Sequence, residues 1–178
     1  MIRRVVTGHS QGKAVFLEDG APPRSYVSKA TPGSAFSDVW RTGVEADIPP
    51  EGPADPVATR VSVLPAAGET RMVVLRIPPQ SVAMREDFDP AAAAAEFAEQ
   101  QPEMAALMEP DSPGMHRTDS VDYVIVLEGE IHLELDDRSE KRLSAQDIVI
   151  QNGTRHAWHN RTDRPAVLAV VLVGAKRR

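Results

Sequence analysis

Gly114-Met115-His116-Arg117-Thr118-Asp119-Ser120-Val121-Asp122-Tyr123-Val124-Ile125-Val126-Leu127-Glu128-Gly129 carries the strongest structural signal in the chain, together with a later stretch, Asn152-Gly153-Thr154-Arg155-His156-Ala157-Trp158-His159-Asn160. Both are rich in strand formers and bounded by glycine. In an extended chain, side chains of equal parity point the same way. His116, Thr118 and Asp122 therefore share one face of the first stretch, and Thr154, His156, Trp158 and Asn160 share one face of the second. If neighbouring strands turn those faces inward, two imidazoles and a carboxylate converge in one pocket. His159 has the wrong parity for that pocket, and Tyr123 faces away from Asp122. Arg117 and Asp119 point opposite to His116, where a salt bridge at the rim is one expectation and Arg117 holding a substrate carboxylate at the pocket mouth is the other.

Elsewhere, glycine and proline punctuate the chain at short intervals, and most pieces between them are short and rich in Val, Ile and Leu. The pattern predicts strands over 2–6, 13–18, 24–28, 36–41, 57–64, 70–77, 121–128, 130–136, 147–151, 155–160 and 165–173. Within 130–136, Ile131, Leu133 and Leu135 alternate with Glu130, His132, Glu134 and Asp136, giving one buried and one wet face, with His132 on the wet one. The unbroken apolar run Ala166–Val173 predicts burial on both faces. The segment 121–128 is apolar on both faces apart from Asp122, so a second sheet layer or a partner subunit is expected to cover Tyr123, Ile125 and Leu127. The four prolines among residues 47–56 make that segment a loop.

One segment breaks the β pattern. Asp89 is a helix cap, Pro90 suits the first helical position, and Ala91–Gln100 is dominated by helix formers. Pro102 restarts the helix and carries it toward Met108. Phe97, Met104 and Met108 are expected to pack against the barrel wall. Many short strands with a single helical segment predict an all-β sandwich or barrel rather than a βαβ fold.

Composition excludes several classes of chemistry. The 178 residues carry a formal charge of −6, with 42% hydrophobic and 26% charged residues, the profile of one ordinary domain able to bury its own core. Absence of cysteine removes thiol nucleophiles, iron–sulfur clusters and cysteine zinc sites. The acidic balance disfavours nucleic acid as a partner, and no apolar run reaches the ~18 residues of a membrane span. With no apolar leader after Met1-Ile2-Arg3-Arg4, a cytoplasmic location is expected. Gly8-His9-Ser10-Gln11-Gly12 matches the GxSxG pattern of hydrolase nucleophile elbows. Lys13-Ala14-Val15-Phe16-Leu17, immediately after it, has the pattern of a strand rather than a helix, so it is read as a hairpin connection.

With these residues in view, the two stretches 114–129 and 152–160 resemble the two motifs of the cupin superfamily. The first motif, a pair of histidines one residue apart, then an acid, then a glycine, is met by His116, Thr118, Asp122 and Gly129. The second is met by Gln151-Asn152-Gly153, His156 and Asn160, except that its usual proline is missing. The resemblance implies a single cupin barrel, a double-stranded β-helix or jelly roll, over 57–175. Residues 1–56 would supply extra strands that extend the sheet or contact a second subunit, with one short helical segment near 90–108. Thr118 stands where the family has a second histidine and Asp122 where it has a glutamate. The implied ligand set is therefore reduced to His116, Asp122 and His156, which suits a divalent transition metal: Fe, Mn, Zn or Ni. Thr118, Trp158, Arg117 and Asn160 are the implied substrate-pocket residues. The resemblance implies a metal-dependent enzyme acting on a small oxygenated or carboxylated molecule, with oxygenase chemistry ahead of lyase or isomerase chemistry. The alternative is a noncatalytic small-molecule binder with a degenerate site. A homodimer is expected, and a nucleotide or flavin is not.

Overall fold

The structure, a computed structural model, describes residues 2–48 and 54–178. Most of the strands lie in two antiparallel sheets that enclose the core. The larger has six strands in the order β3-β4-β5-β11-β6-β9, formed by Arg24–Val27, Ala35–Thr42, Thr70–Ile77, Ala166–Gly174, Ser120–Glu128 and Ile148–Asn152. The smaller has β10 (Ala157–His159), β7 (Glu130–Glu134) and β8 (Glu140–Ser144), in the order β10-β7-β8. The architecture is all-β with few helical turns, a cupin-type jelly roll as the motifs imply.

Parity along the central strands assigns the faces. On β11, Leu168, Val170 and Leu172 point into the main core while Val167 and Ala169 join a second cluster with Val39, Val74 and Ile125 on the opposite face. Ala166–Val173 is thus packed on both sides, as its unbroken apolar run predicts. β6 meets that expectation in part, since Ile125 on its outward face packs in the second cluster. Its inward residues Val124 and Val126 are buried, but outward-facing Tyr123 and Leu127 are exposed on this chain. The turn from β6 to β7 depends on Gly129, which has φ +76°. A Cβ there would approach the Pro165 carbonyl oxygen to 2.6 Å, so only glycine fits.

β1 (Arg4–Ser10) and β2 (Lys13–Gly20) form a separate hairpin. Its two turn residues, Gln11 and Gly12, have φ of 50° and 73°, the signature of a tight primed turn. Ser10 pairs with Lys13 across that turn, so the GxSxG stretch is the hairpin connection and not a nucleophile elbow. Buried Arg4 ties the hairpin to the body, donating to Asp55 at 2.6 Å and to the Val39 carbonyl at 3.2 Å. β3 and β4, also from the first 56 residues, extend the large sheet through β5.

The segment 57–64 is not a strand. Asp55 accepts a hydrogen bond from the Val57 backbone N–H at 3.0 Å, which turns the chain. The apolar pattern of this segment reflects burial rather than ladder pairing, since Val57 and Val63 reach the interior from a loop. In the loop predicted over 47–56, residues 47, 48 and 54–56 carry no strand, while 49–53 lie outside the described residues.

α1 (Pro90–Gln100) starts where its cap predicts, with the Asp89 carboxylate accepting from the N–H groups of Ala91 and Ala92 at 2.9 and 3.0 Å. α2 (Pro102–Ala105) follows after the break at Gln101. Glu96 pins α1 to the β3–β4 loop by accepting from the Lys29 and Ala30 N–H groups, both at 2.9 Å. That attachment sets the helical segment over one side of the barrel.

Candidate functional site

His116 and His156 face each other across an isolated antiparallel bridge, each backbone N–H donating to the other's carbonyl at 3.0 Å. The ladder holds the two imidazole rings with their centroids 4.3 Å apart. Their second nitrogens are arranged alike. His116 Nδ1 lies 3.0 Å from the Gly114 carbonyl oxygen, and His156 Nδ1 lies 3.0 Å from that of Thr154. A carbonyl oxygen only accepts, so each Nδ1 carries the proton and each Nε2 keeps its lone pair free. This is the tautomer a metal-ligating histidine needs. Trp158 stands edge-on to His156, with ring centroids 5.8 Å apart and planes at 84°.

Burial sets the charge states. Desolvation lowers the His116 pKa, partly opposed by the Gly114 carbonyl, and lowers His156 to about 4, with repulsion from His116 adding to the effect. Both rings are neutral at neutral pH. Asp122 lies on the inward face of β6, 4% exposed, and burial pushes its carboxyl up while hydrogen bonds from Ser120 and Thr118 pull it down. Its Oδ1 is buried without a hydrogen-bond partner, and so is Nε2 of Gln151, the residue directly opposite on β9. A buried carboxylate oxygen left unpaired near two neutral imidazoles calls for a cation. The donor set therefore fits a divalent metal in chemistry. In distance it is open: among the described residues, the trio whose ligand atoms all lie within 4.8 Å of one another is Glu134, Glu140 and His159.

These groups share one cavity of about 300 Å³. His116, Thr118, Asp122, His156 and Trp158 all line it. Arg117 and Asn160 do not. The odd parity of Arg117 turns it away from His116. Asn160 is 1% exposed and its amide is fully engaged. Its Nδ2 donates to the carbonyls of Ile77 and Arg164 at 3.0 and 2.7 Å, while Oδ1 accepts from the Thr162 N–H and hydroxyl at 3.0 and 2.8 Å. It brackets the end of β5 to the loop before β11, which leaves it no free atom for a substrate.

Phe97, Met104 and Met108 line the cavity, and Met104 also packs against the main core, because the helical segment closes one side of the barrel. Tyr26 and Gln101 also reach it, from elements far apart in sequence whose own patterns hold no local signal for a pocket. Gln151 does leave a signal, as the first polar residue after the apolar run Ile148-Val149-Ile150 and in register with Asp122. The chain around His156 is further fixed by Arg155, whose guanidinium forks onto Glu109 at 2.7 and 2.6 Å and reaches Asp136 at 3.0 Å.

Residues 105–173 match the family model of the Cupin domain. Phomopsin biosynthesis cluster protein C' of Diaporthe leptostromiformis is 50% identical over 48 residues, 27% of this chain and 25% of that protein. Cupin-domain-containing oxidoreductase virC of Hypocrea virens is 44% identical over 65 residues, 35% of this chain and 34% of that protein. The chain thus spans about a quarter to a third of the length of these curated relatives. Among solved structures, a Cupin 2 conserved barrel domain protein from Salinispora arenicola superposes with a TM-score of 0.37 at 18% identity, covering 60% of this chain and 64% of that one. Motifs and family model agree: residues 105–173 carry a cupin domain.

Proposed function

We propose that this chain is a metal-dependent enzyme of the oxidoreductase type, acting on a small oxygen-bearing molecule in the barrel cavity. One observation carries the reading: the matched imidazoles of His116 and His156, each with Nδ1 fixed on a backbone carbonyl and Nε2 free. The name of the Hypocrea virens relative supports the reaction class.

In this reading His116, His156 and Asp122 hold a divalent transition metal, which when bound supplies Lewis acidity and redox capacity beside the substrate. The residues of the chain do the rest. Burial keeps both imidazoles unprotonated, so no proton competes for Nε2. The carbonyls of Gly114 and Thr154 fix the ring orientations. Thr118, where the family motif has a second histidine, presents a hydroxyl that accepts from Ser120 at 2.9 Å and leaves room for a substrate oxygen. The edge of Trp158 and the helical segment keep water from the walls.

Metal analysis of untagged protein tests this. Close to one transition metal per chain is expected, with His116→Ala or His156→Ala reducing it to less than about a tenth while circular dichroism is unchanged. Substoichiometric metal in the wild type after reconstitution overturns the enzyme reading and leaves a small-molecule binder.

A further inference from the structure

The cavity is strongly divided in polarity. Its charged and hydrogen-bonding groups gather at His116, Thr118, Asp122 and His156, while the remaining walls are almost wholly apolar. Val73 and Leu75 come from β5, Leu172 from β11, and Phe97, Met104 and Met108 from the helical segment. Polar side chains on these walls are few: Ser34, Arg76 at the exposed rim, and Tyr26 and Gln101, whose side chains hydrogen-bond each other. A polyol or sugar phosphate placed here would bury hydroxyls against carbon and lose their water without replacement. A hydrocarbon body would not.

We propose that the cavity selects an apolar-bodied molecule with one oxygen-bearing head, a hydrophobic carboxylic acid or ketone, seated with its head at His116 and His156 and its body along the Val73, Leu172 and Phe97 walls. This rests on the proposed reading of the cavity as the substrate site. The volume of about 300 Å³ sets the size, on the order of ten non-hydrogen atoms. Phe97 and the two methionines belong to a segment docked on the barrel rather than woven into its sheets, so this wall sets the length of body accepted. Methionine's flexible thioether lets the same wall adapt to differently shaped bodies.

Trp158 reports on the cavity directly. The chain has two tryptophans, and Trp40 lies on β4, away from the cavity beneath the Arg4 guanidinium. Trp40→Phe therefore leaves one reporter. Titrating octanoate into this protein is expected to change Trp158 emission saturably with one site per chain, while glucose 6-phosphate at the same concentration changes nothing. Phe97→Ala is expected to shift preference from octanoate toward decanoate by about tenfold, the worth of two further buried methylenes. Unchanged emission of the unliganded variant verifies that the barrel is intact. Both titrations are repeated on chelator-treated, metal-free protein with His116 and His156 intact. Octanoate binding retained there separates this inference from the metal reading, since the walls bind the body without the metal. Glucose 6-phosphate binding as tightly as octanoate, or octanoate binding without saturation, overturns the proposal. An unchanged chain-length preference in Phe97→Ala overturns the role of the helical wall.

Discussion

Two histidine pairs sit across neighbouring strands of this protein, and they differ in what their nitrogens touch. His116 and His156 face inward, their Nδ1 atoms on backbone carbonyls and their Nε2 atoms free. His132 and His159, also opposite one another in a ladder, face outward among carboxylates. His159 Nε2 is 2.6 Å from Glu134, and His132 lies 3.6 Å from both Glu130 and Glu140. By distance alone, the outer trio Glu134, Glu140 and His159 looks better gathered for a metal. Its donors are already engaged, however. Arg161 pairs with Glu140, Arg142 with Glu130 at 2.5 Å, and His159 with Glu134. The inner pair shares its cavity with Asp122, whose Oδ1 is unpaired, and keeps its lone pairs. Convergence of donor atoms is therefore a weaker indicator of a metal centre than the tautomer and the unpaired groups around it.

The strongest test of this contrast disables each pair in turn. In metal-competition titrations, His116→Ala with His156→Ala is expected to weaken binding more than about 100-fold, beyond the loss typical of removing a partner behind a ligand. The outer variant Glu134→Gln, Glu140→Gln, His159→Gln is expected to change it by less than about threefold. The reverse result moves the metal to the outer face.

Asn160, next in sequence to His159, probes the contrast differently, because it is buried and polar yet structural. Truncating it removes the side-chain donor to the Ile77 and Arg164 carbonyls and the acceptor of the Thr162 backbone N–H. Asn160→Ala is expected to destabilise the fold by about 2–3 kcal/mol in urea unfolding, with metal stoichiometry unchanged. A loss of metal at constant stability would assign it to the site instead.

Parity carried the inner pair. Alternation along 114–129 and 152–160 placed His116, Asp122, His156 and Trp158 on the cavity and His159 outside, and alternation along 130–136 placed His132 outside, because a strand has only two faces. The same logic failed at Asn160, whose parity is right but which follows the end of β10, where the chain turns and alternation stops. It failed for 57–64 because apolar content reports burial, and a loop turned by Asp55 buries Val57 and Val63 as well as a strand would. In place of the rim salt bridge expected with Arg117, Asp119 pairs with Arg177 at 2.7 Å, from the far end of the chain. Such long-range partners, like the helical wall of the cavity, depend on topology that no local pattern encodes.

Acid should separate the two pairs by stability as well. The pKa of His156 falls from the usual 6.5 to about 4 because folding buries the ring beside His116. Between those values the unfolded chain binds a proton that the folded chain excludes, so stability is full above about pH 6.5 and declines as pH falls toward about 4. At pH 5 the loss from His156 alone is about 2 kcal/mol, and the lowered His116 adds in the same direction. Asp122 acts with the opposite sign. Its raised pKa favours the protonated carboxyl in the fold, so acidification relieves rather than imposes a cost there. The balance can be read in metal-free protein from urea midpoints at pH 7 and pH 5. The wild type is expected to lose stability by about 2 kcal/mol, His156→Gln to lose about half as much or less, and His159→Gln to follow the wild type. An equal acid response in the His156 and His159 variants would mean that burial does not distinguish the inner ring from the outer one.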